Sequence, residues 1–346
     1  MHASYQCRHT GACCSEWKVP ADRAVVEVIR RHRLGPSNAA TFERVDHETL
    51  RIAHGTTGTC VFRKNDRCEI HSIAGEHALP IACRHYPRVV LRDPRGTLVS
   101  LSHYCPTAAS LLATDDGARP VAASDALILQ EPIEGLDARG ELPPLVRPGL
   151  LTDIDGYAAW EAKVIETFDM TCDADCAFQI IELATDQLRL WSPQGSLTDA
   201  VGAAFENACN SDPRNALSIV PLSIVAELLP SEHRLDVSLD LDAEWASRVT
   251  SADVRIQRII VNYLSARAFG NWVAYQGQGL RTIVAWLRAC YDVLRLHIVR
   301  SGPPSSITRQ AVLEAVRHTD LVMLHTIDSA AFARHSAATL EARTAA

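Results

Sequence analysis

Seven of the eleven cysteines lie in the first 105 residues, and they are the side chains most able to do chemistry in this chain. Each stands beside turn-forming or polar residues, whereas a core cysteine is usually flanked by an apolar periodic pattern. Turns and hairpins are how small metal sites gather thiols that are distant in sequence. We therefore predict that the following residues bind a metal: Cys7, Cys13, Cys14, Cys60, Cys68, Cys83 and Cys105.

The spacing of these thiols does not determine which metal is bound. Thiolates select zinc, copper(I) and iron–sulfur clusters over hard cations. A structural zinc takes four ligands, and a cubane [4Fe–4S] cluster is likewise held by four cysteines. Seven thiols exceed one such site and are one short of two, so a second site needs a histidine. Four histidines stand near the cysteines: His9, His71, His85 and His103.

The other four cysteines are expected to pack rather than to bind metal. Cys172 and Cys176 can share one face of a helix, but two thiols without further ligands make a poor site. Cys209 and Cys290 fall in helical patterns, where a free cysteine behaves as a small buried hydrophobe.

Short hairpins are predicted to bring the N-terminal cysteines together. Segment 60–71, "CVFRKNDRCEIH", predicts two strands with a polar turn between them, which places Cys60 next to Cys68. Segment 88–105 predicts a second hairpin with its turn at Asp93-Pro94-Arg95-Gly96, which delivers Cys105 at the end of a strand. Pro106 then fits the first turn of a helix.

A helix over 20–34 and a short strand over 48–54 are predicted upstream of these hairpins. Pro20 fits the first turn of the helix, and Val25, Val26 and Ile29 give it an apolar face.

The rest of the chain predicts a helical domain. Segment 116–150 is rich in glycine and proline and predicts a linker or an extended crossing. Apolar residues then recur at helical spacing and predict helices over 155–170, 174–191, 197–209, 251–270, 279–300 and 308–335. Five tryptophans are expected to be core or interface anchors: Trp160, Trp191, Trp245, Trp272 and Trp286.

The predicted fold class is therefore α+β. A small cysteine-rich metal-binding module with short β-hairpins, over 1–115, precedes the linker at 116–150 and a mainly α-helical domain at 151–340.

Composition excludes some classes of function. The net charge of −7 argues against nonspecific binding of nucleic acid. No apolar run approaches the ~18 residues of a membrane helix, and the N-terminus lacks the apolar stretch of a signal peptide. We expect a cytoplasmic protein, in which thiols stay reduced and a dense cysteine pattern indicates metal binding or catalysis.

The segment "CRHTGACC" resembles the CxxCxxCC zinc- or iron-chelating cysteine-cluster family. Within it the chain is similar to the flagellin lysine-N-methylase branch, through "CCSEWKVPAD", "CRHYPR" around Cys83 and "SLSHYCPTAASLL" around Cys105. A weaker likeness is "VNYLSARAFGNW" in the helical half. The family pattern has a cysteine at the position of Thr10, so one thiol is lost here, and the imidazole of His9 could replace it.

The resemblance implies methyl transfer from S-adenosylmethionine to lysines of flagellin or another lysine-bearing protein. Such a reaction needs a neutral amine, whereas free lysine has a pKa of ~10.4, so the site must remove a proton. Tyr86, His85 and Glu76 are candidates for this catalytic role. Arg84 and Arg88 could bind a carboxylate of the cofactor or balance thiolate charge.

No residue pattern in the sequence shows cofactor binding by itself. A glycine-rich Rossmann turn, the Cys-x3-Cys-x2-Cys triplet of radical enzymes and a Walker-type phosphate loop are all missing. One alternative is a non-catalytic zinc- or iron-chelating protein with a helical interaction domain. Another is a redox or metal-handling protein with exposed thiolates. Methyl transfer, in contrast, predicts binding of S-adenosylmethionine and a pocket between the two domains.

Overall fold

The fold follows the predicted order, with short strands and hairpins first and helices after them. The α+β class is therefore confirmed, whereas the domain boundaries stay a prediction. This computed structural model describes residues 5–6, 8, 11, 14–15, 19–36, 40–45, 49–65, 67–114, 120–121, 135–171, 173–211, 222–231, 234–249, 254–301 and 307–344.

A three-stranded antiparallel sheet and one helix begin the chain. Strand β1 (Pro20–Ala21) precedes helix α1 (Arg23–Arg31), and strands β2 (Phe42–Arg44) and β3 (Leu50–Ile52) follow it. The strand order is β1-β3-β2, so that β3 lies in the middle.

Helix α1 begins later than predicted. The Asp22 carboxylate caps it by accepting a hydrogen bond from the Val25 amide at 2.8 Å. Pro20 therefore lies outside the helix, in edge strand β1, where its missing amide hydrogen is tolerated. The predicted apolar face of Val25, Val26 and Ile29 is buried.

The first predicted hairpin is confirmed. Strands β4 (Arg63–Lys64) and β5 (Arg67–Cys68) pair antiparallel. Helices α2 (Glu69–Ala74) and α3 (Ile81–His85) follow, with a short 3-10 turn over 76–78 between them. Phe62, Ile70 and Ala82 join the face of α1 in a small core of this module.

The second predicted hairpin is confirmed as well. Strands β6 (Arg88–Asp93) and β7 (Gly96–Leu101) pair over their whole length. Helix α4 (Pro106–Leu111) begins at the expected proline.

The described part of the predicted linker contains strands. Strand β8 (Leu136–Asp137) pairs parallel to β6, and β9 (Leu145–Arg147) pairs with β10 (Leu150–Leu151).

Nine helices are found in the described residues from 151 onward. They are α5 (Ile154–Thr171), α6 (Ala174–Leu188), α7 (Leu197–Cys209), α8 (Leu222–Leu228), α9 (Leu241–Val249), α10 (Val254–Ala268), α11 (Leu280–Arg300), α12 (Arg309–His325) and α13 (Ser329–Thr344). Helix α11 is buried on all sides, and its Trp286 meets Phe332 edge to face with ring centroids 5.0 Å apart. Trp160 and Trp245 are also buried, as predicted.

Two predictions for the helical part are wrong. The single helix predicted over 308–335 is interrupted, because Asp328 caps α13 by accepting a hydrogen bond from the Ala330 amide at 2.9 Å. Cys209 is exposed rather than buried, whereas Cys290 is buried as predicted. Cys176 is exposed, and Cys172 lies outside the described residues.

Polar contacts join the second hairpin to the helices. At its turn, Arg95 donates to Asp93 and, at 2.8 Å, to Glu161 of α5. The Tyr275 hydroxyl donates to Asp93 at 2.8 Å, and the Trp272 indole donates to the Val90 carbonyl at 3.2 Å. These contacts fix β6 and β7 against the helical part.

Among the helices of the described residues, none combines the length and the apolar character needed to cross a membrane.

Glu182 on α6 makes stability depend on pH. Burial raises its pKa to about 7, against the attraction of Arg288. The unfolded chain ionises first as pH rises from about 4.5 to 7, so stability falls across that window. Glu182→Gln should raise the free energy of unfolding at pH 7.5 by about 1–3 kcal/mol and should give no gain at pH 4.

Urea unfolding at the two pH values measures this difference. The control is Glu206→Gln at an exposed position of α7, which should change little at either pH. An equal effect of Glu182→Gln at pH 4 and pH 7.5 would contradict the assignment.

Candidate metal centre

Four cysteines from three separate segments line one small cavity in the N-terminal module. Cys14, Cys60, Cys68 and Cys83 share it with His54. The cavity has a volume of about 30 Å³, which is room for about one or two water-sized objects. Its size therefore suits a single ion.

A turn after Gly11 positions Cys14. The Cys14 amide donates to the Gly11 carbonyl at 2.9 Å, and the Cys60 amide donates to the Cys14 carbonyl at 2.7 Å. Gly11 has a φ of 71°, and a Cβ there would lie 2.7 Å from the Arg63 guanidinium. Glycine is thus favoured by the left-handed backbone, and the flexible end of the Arg63 side chain occupies the space that a Cβ would fill.

The first hairpin positions Cys60 and Cys68. Cys68 pairs with Arg63 across the two strands, and Asn65 makes the turn with a φ of 49°. On its other side Cys60 forms an antiparallel bridge with His54. The hairpin therefore brings the two thiols to the same cavity, as the sequence predicted.

Helix α3 supplies the fourth thiol and separates two cavities. Cys83 lines the thiol cavity, whereas the adjacent Ala82 lines a much larger cavity. The adjacent residues Val19 and Pro20 also line different cavities. Val19 lines the thiol cavity and Pro20 lines the larger one.

The remaining wall of the thiol cavity is apolar. It consists of Val19, Ile52, Phe62, Ile70, Leu79 and Pro80. Burial raises the pKa of Cys60 to about 12, and the nearby thiols of Cys14 and Cys68 add to the rise. The pKa of Cys68 is raised for the same first reason, with Cys14 again contributing. Without a cation these thiols are protonated, and a bound cation would compensate the charge of the thiolates.

The thiols line the cavity but do not form a closed coordination shell. In the described part of the chain, no group of three or more His, Cys, Asp or Glu side chains is already placed to hold a metal ion. The donor set itself fits zinc or iron, because thiolates and an imidazole are ligands that these metals take. Closure of the shell therefore requires movement of these side chains towards an ion.

The other predicted ligands do not line this cavity. Cys7, Cys13 and His9 lie outside the described residues. Cys105 is buried at the start of α4, and its sulfur is 3.7 Å from the Tyr5 hydroxyl. It packs with Leu101 and Ala108.

Of the predicted catalytic and cofactor-binding residues, Tyr86 and Arg88 face the larger cavity. His85 is buried and Glu76 is exposed, and neither lines that cavity. Arg84 donates to the carbonyls of His77 and Leu79, at 3.0 and 3.3 Å, so its guanidinium supports the local backbone.

Sequence reasoning did not identify His54. It is six residues from Cys60, across a loop that contains two glycines, and no metal-ligand spacing marks it. Strand pairing, which brings it opposite Cys60, was needed to find it. The histidines considered instead are exposed, as is His71, or buried elsewhere, as is His103.

Comparison with known proteins supports this chemistry for the N-terminal module. Residues 6–106 match the model of the CxxCxxCC family, described as "Putative zinc- or iron-chelating domain". The match spans less than a third of the 346 residues. No curated protein and no solved structure matches the chain. The resemblance to a chelating domain is thus confirmed, whereas the methylase branch stays a prediction.

Replacing two thiols of the cavity tests whether it binds the metal. Cys60→Ser with Cys68→Ser should lose at least about nine tenths of the bound metal, because half of the thiol donors are removed. The measurement is metal analysis with a visible spectrum after anaerobic purification. Cys209→Ser, at an exposed thiol, should keep the wild-type metal content. Unchanged metal in the double variant would refute the assignment.

His54 is tested by its affinity for the metal. His54→Ala should weaken zinc or iron binding about 10- to 100-fold in competition with a chelator, if the imidazole is a ligand or orients one. The matched control is His71→Ala on α2, at an exposed histidine outside the cavity. Equal metal affinities of the two variants would show that His54 is part of the cavity wall and not a ligand.

Proposed function

We propose that the N-terminal module binds one zinc or iron ion through the thiols of Cys14, Cys60, Cys68 and Cys83, with His54 as a further donor. The observation that carries this proposal is the gathering of four thiols, from three separate segments, around one small cavity with apolar walls. When bound, the ion would supply a charge that keeps the thiols ionised. The chain would supply the donor side chains and an apolar wall that excludes water.

The size of the cavity favours a single ion over a four-iron cluster, which would need the pocket to widen. An iron–sulfur cluster stays the alternative, and it is distinguished by a brown colour and stoichiometric sulfide. Cys7, Cys13, His9 and Cys105 stay candidate ligands of a second site.

We further propose methyl transfer from S-adenosylmethionine to protein lysines, with flagellin or another lysine-bearing protein as substrate. A cavity of about 470 Å³ supports this function, because small-molecule sites usually have volumes of about 300–1,000 Å³. Residues of both the N-terminal module and the helical part line it. Methyl transfer is expected to need a pocket at this place. Tyr86 lines it from the N-terminal module, and Trp272, Trp286 and His325 line it from the helical part.

The chemistry of the walls is compatible with a sulfonium cofactor. The aromatic residues Tyr86, Trp272 and Trp286 line the cavity, and aromatic rings attract cations and stack on flat heterocycles. Burial lowers the pKa of His325 to about 4, which keeps its imidazole neutral at physiological pH. Its Nε2 is 2.8 Å from the Ser102 hydroxyl, so the imidazole is held in place. Of the predicted catalytic residues, Tyr86 is the one that lines this cavity.

Calorimetry with S-adenosylmethionine tests this second function. The metal-loaded wild-type chain should bind it at one saturable site, and Ser329→Trp should reduce the affinity at least about tenfold by filling the cavity that Ser329 lines. Ala203→Trp, at an exposed position of α7, should bind as the wild type does. Absence of binding at millimolar cofactor would refute methyl transfer but not metal binding.

Transfer of labelled methyl groups to flagellin tests the partner separately. Binding of the cofactor without labelling would remove flagellin as the substrate and would leave the cofactor assignment intact.

A further inference from the structure

Two arginines and one aspartate are the charged residues in the lining of the larger cavity. These residues are Arg88, Arg267 and Asp328. His325, the other titratable base in the lining, is neutral. The Asp328 carboxylate is engaged at the beginning of α13, where it accepts the Ala330 amide hydrogen. The Asp320 carboxylate lies 3.8 Å from Arg267 and offsets its charge, so Arg88 is the lining arginine that has no ion pair among the described residues.

Arg267 is a buried guanidinium with an unused donor. Its side chain is 3% exposed, and one nitrogen donates to the Leu101 carbonyl at 2.5 Å. Another nitrogen lies 3.8 Å from the Asp320 carboxylate. Its Nε, however, is buried and has no hydrogen-bond partner among the described residues. An unsatisfied buried donor costs free energy, and an acceptor inside the cavity would remove that cost.

Arg88 is the more accessible of the two. It lies at the start of β6, and no hydrogen bond or ion pair joins its guanidinium to another described residue. The contrast with Arg84 is informative, because Arg84 donates to two backbone carbonyls and does not line the cavity. Guanidinium groups recognise carboxylates through paired, charge-assisted hydrogen bonds.

Most of the remaining lining is apolar and aromatic. Phe269, Trp272 and Trp286 all contribute to it. Such walls bury the body of a ligand, whereas a few polar groups fix its orientation. An anionic head with a flat apolar body is the ligand that satisfies both parts of this lining.

We propose that Arg88 and Arg267 bind the carboxylate of a small ligand whose flat ring lies against the aromatic wall of this cavity. For S-adenosylmethionine, which carries a carboxylate and a flat heterocycle, the inference rests on the proposed methyl transfer. The same chemistry would also receive a simpler aromatic carboxylate. Arg267 thus acquires a binding role that its place in a buried ion pair alone does not indicate.

Paired probes separate the carboxylate from the rest of the ligand. Calorimetry should show that decarboxylated S-adenosylmethionine binds the wild-type chain about 10- to 100-fold more weakly than the intact cofactor, because each charged hydrogen bond is worth about 1.5–3 kcal/mol. Arg88→Gln should weaken the intact cofactor by a similar factor and should abolish most of the difference between the probes. Arg92→Gln, on the same strand but outside the lining, should behave as the wild type.

Arg267→Lys tests the buried arginine while keeping its charge. Provided that circular dichroism shows a folded chain, it should weaken the intact cofactor at least about fivefold, because the Nε donor is lost. If Arg267→Lys does not fold, the comparison of the two probes on the wild type and on Arg88→Gln decides the proposal.

The outcomes distinguish this inference from the proposed methyl transfer. Equal affinity of the two probes would overturn the carboxylate site and would leave cofactor binding standing. If neither probe binds, indole-3-acetate and its uncharged amide replace them. Binding of the acid alone, lost in Arg88→Gln, would support the carboxylate site without methyl transfer. Binding of neither would overturn the inference.

Discussion

The arrangement of the N-terminal module and the helical part depends on the contacts of one buried carboxylate, that of Asp320. It lies on α12 and accepts the His103 amide hydrogen at 2.5 Å and the Tyr263 hydroxyl hydrogen at 2.9 Å. Burial alone would raise its pKa, but Arg267 and His103 outweigh burial and lower the pKa to about 2. A fully buried charge is tolerated only with such partners. Because these partners come from the segment after β7 and from α10, Asp320 fixes both against α12. The larger cavity lies among these same elements, and Arg267 belongs to both the buried network and the cavity wall.

Helix α3 contributes to the walls of both the thiol cavity and the larger cavity. Successive residues of a helix point about 100° apart, so Ala82 and Cys83 face different sides of the same short helix. An ion bound by Cys83 would hold α3 to the hairpin that carries Cys60 and Cys68. The same restraint would fix the wall of the larger cavity and the Tyr86 that follows α3. The metal would thus contribute to ligand binding through the position of a wall, without touching the ligand.

Local patterns predicted the parts of this structure that local interactions determine. The two hairpins, the start of α4 and most of the long helices follow from turn residues and apolar spacing. The break between α12 and α13 was missed because Asp328, a capping residue, stands inside an otherwise continuous helical pattern. The short helices α8 and α9 give too few turns for a periodic signal. His54 and Arg267 could not be predicted as site residues, because their positions depend on strand pairing and on helix packing across distant segments.

Burial alone does not distinguish a metal-binding thiol from a packed one. Burial raises the pKa of Cys290 to about 12, as it does for Cys60. The neighbours of the two thiols differ, however. Cys290 lies in α11 near Tyr263 and Arg267, with no second thiol among the groups that shift its pKa. Cys60 instead has Cys14 and Cys68 close enough to raise its pKa further. Cys60 therefore shares its surroundings with two further thiols, and a cation bound among them would stabilise the ionised form of all three.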